Sequence, residues 1–151
     1  MSEMARSYVA MGISMMGMYI QQVIKDQGLE KALDYYYNLG YIFTLGTIAT
    51  LREKYGDETP TPEQLKETSS ENMESFGQTF EIKTTPDGID MKIIKCPFYE
   101  GWAMAGLNND TITQFCKIGG KGAKAAMEDN YPKLVPYADP RSHADGVCLE
   151  G

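Results

Sequence analysis

The sequence predicts an α+β fold in which an N-terminal helical hairpin packs on an antiparallel sheet. Three observations carry this expectation. Apolar residues recur at helical spacing as far as Tyr55, the period changes to two from residue 78, and turn-forming residues at 86–88 divide the alternating stretch into a hairpin. The final GVCLEG alternates again and is expected to return as a further strand, with short helices between the strands of the C-terminal half.

The first helix is marked by Met4, Tyr8, Met11, Met15 and Met18 at helical spacing, widened by Ile13, Ile20, Val23 and Ile24 and ended by DQG at 26–28. A second helix runs from about Leu29 to Tyr55 and stops at Gly56, with Leu33, Tyr36, Tyr37, Gly40, Phe43, Thr44, Thr47 and Leu51 on or beside one face. Six of the ten methionines lie in the first eighteen residues, which suggests an adaptable helix face that packs in the core or on a partner subunit. The alternative is the wall of an apolar ligand pocket. Residues 57–77 are acidic and polar and read as a surface connector, with Thr61 or Thr59 capping a short helix through Leu65.

In the hairpin, QTFEIKTT alternates at Phe80 and Ile82, PDG turns, and IDMKIIKC alternates at Ile89, Met91 and Ile93. Pro97 is expected to end this second strand at Cys96. The following stretch is rich in glycine and aromatics. NNDTITQFC begins like a helix capped by Asp110 or Asn109, and GAKAAMEDN reads as another short helix. The chain thus divides into 1–56, a helical hairpin, 57–77, a polar connector, and 78–151, a sheet with a cysteine-containing site, all within the size of one domain.

Composition narrows the function. A formal charge of -7 disfavours nucleic acid as a partner, because phosphate binding needs a basic surface. The uncharged stretch from Tyr8 to Ile20 is shorter than the roughly 20 residues of a membrane span, and no processing site follows it, so the expected compartment is the cytoplasm. Three cysteines far apart in sequence do not form a secreted disulfide framework and read as thiols or metal ligands.

Several groups are candidates for chemistry. GGKGAK at 119–124 could free backbone amides for a phosphate, although it lacks the P-loop order and otherwise reads as the flexible start of a helix. Tyr99, Glu100 and Trp102 follow Cys96 closely enough to bind a substrate beside it; a core tryptophan and a solvated glutamate are the plainer readings. Cys96, Cys116, Cys148 and His143 match a Cys3His zinc set in type and number without its paired spacings. Alternatively one cysteine is a nucleophile assisted by His143, with Asp145 or Asp139 orienting the imidazole. Buried, inert cysteines are the third reading.

A strand entering KCPFYE, a second cysteine in TQFCK and a terminal HADGVCLEG, after a helical first half, resemble the L-2-amino-thiazoline-4-carboxylic acid hydrolase family. The usable motifs lie within about residues 80–151: Cys96 and Pro97, Cys116, and Gly146 with Cys148. The resemblance implies hydrolysis at a C–N bond of a cyclic amidine or thiazoline. Cys96 would attack, His143 would act as base with Asp145 orienting it, and Cys116 and Cys148 would tune or replace the nucleophile. It also implies a last strand that continues past Gly151. The competing class is a small-molecule- or metal-binding domain without catalysis, similar in layout to 4-vinyl-reductase-type domains. A third is a metal-stabilised assembly domain in which the methionine-rich helix pairs with its copy in a homodimer. No cofactor is firmly implied; zinc on the cysteines is the candidate.

Overall fold

The computed structural model describes residues 3–134 and 148–150. Its elements in chain order are α1 (Glu3–Gln27), α2 (Leu29–Tyr55), α3 (Pro62–Ser75), β1 (Thr79–Thr85), β2 (Gly88–Lys95), α4 (Pro97–Met104), α5 (Asn109–Asn130) and β3 (Cys148–Glu150). The fold is α+β, with the helical half packed over one face of an antiparallel sheet of order β1-β2-β3.

Helices α1 and α2 are separated by Gly28 alone, at φ 89°, a conformation that side chains disfavour. The two helices splay from this joint. α1 lies chiefly against α4, and α2 chiefly against α5. Of the apolar stripe expected on α1, only the flank that includes Ile13 and Val23 is buried. Ala10, Ile13, Gly17 and Val23 are buried, whereas Met4, Tyr8, Met11, Met15 and Met18 are all exposed. Small residues decide this. A Cβ on Gly17 would come within 2.7 Å of Ala105 Cβ, and one on Gly101 within 2.7 Å of Ile13 Cβ, so α1 and α4 approach through the positions that carry least bulk.

The aromatic core forms where α2, α4 and α5 meet. Tyr36 stacks on Phe115 with ring centroids 4.3 Å apart, and Trp102 stands edge-on to Tyr36 at 5.1 Å and to Phe115 at 5.9 Å.

In place of two short helices, residues 109–130 form the single helix α5, so the GGKGAK amides serve the helix and form no phosphate cradle. The glycines are there for packing. A methyl on Gly40 would overlap the Gly119 carbonyl, and one on Gly122 would overlap the carbonyl of Tyr37, so the two backbones are in direct contact. The cap of α5 is Asn108, one residue before the expected positions; its side chain accepts a hydrogen bond from the Thr111 amide at 2.9 Å.

The polar stretch 57–77 is more ordered than its composition suggests. Thr61 caps α3 in a reciprocal box with Gln64, Pro62 occupies the first turn, and the helix continues to Ser75. It buries Thr68 and Met73. Lys54 of α2 holds it through Glu71 at 2.6 Å and Glu67 at 3.5 Å, and Asn72 donates to Thr47 Oγ1 at 2.9 Å.

The hairpin follows the alternation in the sequence, with Ile82 opposite Met91, Phe80 opposite Ile93, and Pro86 and Asp87 in the turn. Met73 of α3 packs on Ile93 in a cluster with Phe80, Met91 and Cys96. On the other edge β3 pairs with β2, placing Cys148 opposite Ile93. Cys96 lies just past β2 as the cap of α4, with Pro97 in its first turn, so the glycine- and aromatic-rich stretch after it begins as a helix.

Gly122→Ala should destabilise the protein by about 1–3 kcal/mol in urea unfolding, because the added methyl forces α2 and α5 apart. Gly46→Ala, on exposed α2 with nothing within 4 Å of the new methyl, should stabilise it by about 0.5–1 kcal/mol. Equal effects from the two would remove the packing role of Gly122.

Candidate functional site

The backbones of α2 and α5 stand clear of the sheet, and α3 holds the layers apart. A cavity of about 580 Å³ opens in the wedge, a size suited to a small molecule. Met73, Met91 and Ile93 form the wall nearest the sheet, and Ala123 and Met127 the wall on α5. Phe43, Phe76 and Phe98, from three different helical segments, make an aromatic corner with centroids 5.3 to 6.5 Å apart.

Polar groups enter this largely apolar space from several elements. Thr47 and Asn72 face it as the hydrogen-bonded pair that joins α2 to α3. Gln78, at the start of the hairpin, lines it and also donates from Nε2 to the Cys96 sulfur at 3.8 Å. Lys124 approaches from α5, paired with Glu128 at 3.7 Å, while Asp87 and Asp90 approach from the hairpin turn. The cavity therefore presents a cation on one side and carboxylates on another. Leu134 lines it, and β3 begins opposite the lining residue Ile93.

The family model described as L-2-amino-thiazoline-4-carboxylic acid hydrolase matches residues 8–134, most of the chain. The protein belongs to this hydrolase family. No curated protein and no solved structure matches the chain. The family match is broader at the front than the motifs implied: it starts within α1, takes in the rest of the helical half and the β1–β2 hairpin, and ends before HADGVCLEG.

The residues expected to act together are placed as follows. Cys96 is half-buried against the Met73–Ile93 cluster, one hydrogen bond from the cavity through Gln78. Cys116, also half-buried, packs against the aromatic cluster of Tyr36, Trp102 and Phe115, so the two cysteines belong to different clusters. Burial pushes the Tyr36 phenol well above its ordinary pKa, and the neighbouring Cys116 adds to the shift. His143, Asp145 and Asp139 lie outside the described residues, as does Gly146; for Cys148 the backbone alone is described. Among the described residues no three His, Cys, Asp or Glu side chains are grouped to hold a metal ion.

Tyr99, Glu100 and Trp102 follow Cys96 on α4 without lining the cavity. Trp102 is 3% exposed within the aromatic core, Tyr99 packs against that core, and Glu100 turns towards Arg6 of α1 at 3.9 Å. Phe98 is the residue of this segment that reaches the cavity. Gln78 and Asn72 carried no signal in the sequence, because nothing local distinguishes a glutamine or asparagine that faces a cavity from one that faces water, and Thr47 and Phe98 were marked only by their places on the α2 face and in KCPFYE. Lys124 was marked only by its place in GGKGAK.

The Gln78 amide stabilises negative charge on the Cys96 sulfur more than it stabilises the thiol. Gln78→Leu should therefore slow alkylation of Cys96 about tenfold at neutral pH. Peptide mapping with iodoacetamide reads the rate directly, and an unchanged rate would remove Gln78 as a tuning group.

Proposed function

We propose that the protein hydrolyses a cyclic amidine or thiazoline carboxylic acid at a C–N bond, with the substrate in the α2–α3–α5–hairpin cavity and Cys96 as nucleophile. The observation that carries the reading is the cavity itself, bordered through Gln78 by a cysteine, in a member of a hydrolase family. The substrate carbon between sulfur and nitrogen is electrophilic. A thiolate adds to it, the ring C–N bond breaks as the leaving nitrogen takes a proton, and water then releases the product from sulfur.

In this reading His143 is the general base that activates the water, and Asp145 orients its ring. Leu134 lines the cavity, and Cys148 pairs across the sheet with the lining residue Ile93. Cys96 is preferred to Cys116 because Gln78, a lining residue, touches it, whereas Cys116 packs in the aromatic core. Zinc on the set expected from the sequence, Cys96, Cys116, His143 and Cys148, would supply an activated water for the same cleavage, but Cys96 and Cys116 lie in different clusters, so the thiolate route is preferred. A reducing cytoplasm suits either route, since both need reduced sulfur.

The second reading is a binding domain without catalysis. The predominance of apolar lining favours it, and Lys124 with Asp87 and Asp90 would then orient a zwitterionic ligand that is released unchanged.

Incubation with L-2-amino-thiazoline-4-carboxylic acid, followed by mass spectrometry, should show product heavier by one water. Cys96→Ser should abolish the product while leaving circular dichroism and thermal unfolding unchanged. His143→Ala should lower turnover about a hundredfold or more. Full activity in Cys96→Ser removes that residue from the mechanism, and binding without turnover by the unaltered protein supports the second reading instead. Elemental analysis before and after thiol blocking decides between the thiolate and zinc routes.

A further inference from the structure

We infer that two copies of this chain pair through the exposed methionine–tyrosine stripe of α1. Met4, Tyr8, Met11, Met15 and Met18 are 68, 66, 53, 70 and 62% exposed, and they succeed one another by four, three, four and three residues. The opposite side of the same helix is already buried, through Ala10, Ile13 and Val23. A helix that is apolar on both sides is a buried helix, and α1 is covered on one side only among the described residues.

Spacings of four, three, four and three residues keep these side chains on one side of the helix over four turns, and Met16 and Tyr19 beside them, 45 and 72% exposed, widen the face. Such a long, straight apolar face suits a second helix laid along it. We take the occupant to be a helix. Its surface must also lack charge, because residues 7–24 contain no Asp, Glu, Lys, Arg or His, and Arg6 is turned to Glu100. The stripe itself meets both requirements. In a two-fold arrangement each copy offers to the other the face it needs, and unbranched methionines adjust to their own image.

Area and charge agree with this occupant. Five side chains of roughly 200 Å² each, about two-thirds exposed, supply about 650 Å² per copy and about 1,300 Å² in all, within the range of specific interfaces. A membrane surface fits less well. Helices that lie on membranes use a polar face rich in lysine and arginine, whereas the second face of α1 is packed against α4 and the chain carries a net charge of -7. The stripe ends before Gln22 and Asp26, which hydrogen-bond to each other at 2.7 Å on the next turn.

Sedimentation velocity of the full chain should give twice the 16.8 kDa chain mass at micromolar concentration, and Met11→Lys with Met15→Lys should give the single mass with unchanged circular dichroism. Ile42→Lys, an equally exposed apolar position on α2 at 63%, should leave the dimer intact. A second measurement needs no substitution. Oxidation of Met11 and Met15 by hydrogen peroxide should slow as protein concentration rises, while Met104, exposed at 62% on α4, keeps a constant rate. A monomeric unaltered protein, a dimer that survives the double substitution, or concentration-independent oxidation of Met11 and Met15 would each overturn the inference. Co-sedimentation of the monomer with phosphatidylcholine vesicles would overturn it in favour of a membrane.

Discussion

Helices α2 and α5 cross so closely that their backbones touch, Gly40 against Gly119 and Gly122 against the Tyr37 carbonyl. Much of the rest of the structure follows from this contact. With no side chain between them, the helices present their flanking residues as one continuous surface: Tyr36 and Phe115 stack on one side of the crossing, and Thr44, Thr47, Ala123 and Met127 face the cavity on another. A bulkier crossing would separate the two lining walls and unstack the aromatic pair.

Around that crossing the remaining elements act as spacers. α4 fills the angle between α1 and α5 with Trp102, and α3 stands between α2 and the sheet with Met73 directed at Ile93. The cavity is what remains where α3 keeps the sheet from closing on α2 and α5. Its polar groups sit where elements join: Thr47 with Asn72 at the α2–α3 contact, and Gln78 with Cys96 at the two ends of the hairpin. Such positions are held from two sides, which suits groups that have to bind or polarise a substrate without moving.

The proposed chemistry and the proposed dimer use different residues, since no residue of α1 lines the cavity. Lysine, carboxylates and amides gather between the helices and the sheet, while the outer stripe of α1 is uncharged. Methionine accounts for the contrast. It packs inside at Met73 and Met91, where it meets neighbours in the protein, and it stands outside on α1, where the described residues offer none.

The sequence by itself determined part of the local structure, though not that 97–104 is helical or that 109–130 is one helix. Gly28 and Gly56 bound α2, Thr61 with Pro62 starts α3, and the alternation on either side of PDG sets the hairpin, because caps, turns and period-two patterns act over a few residues. It also marked Cys96 beside a strand end and the family to which the chain belongs. Only the tertiary structure decided which face of α1 is buried, that Gly119 and Gly122 join two helices in place of holding a phosphate, and that Phe98 and Gln78, more than Trp102 and Glu100, adjoin the cavity. The physical reason is that these choices depend on what lies opposite each side chain. A methionine stripe and a glycine pair read alike in one dimension whether they meet a helix, a ligand or water, and the distinction arises when distant segments are brought together.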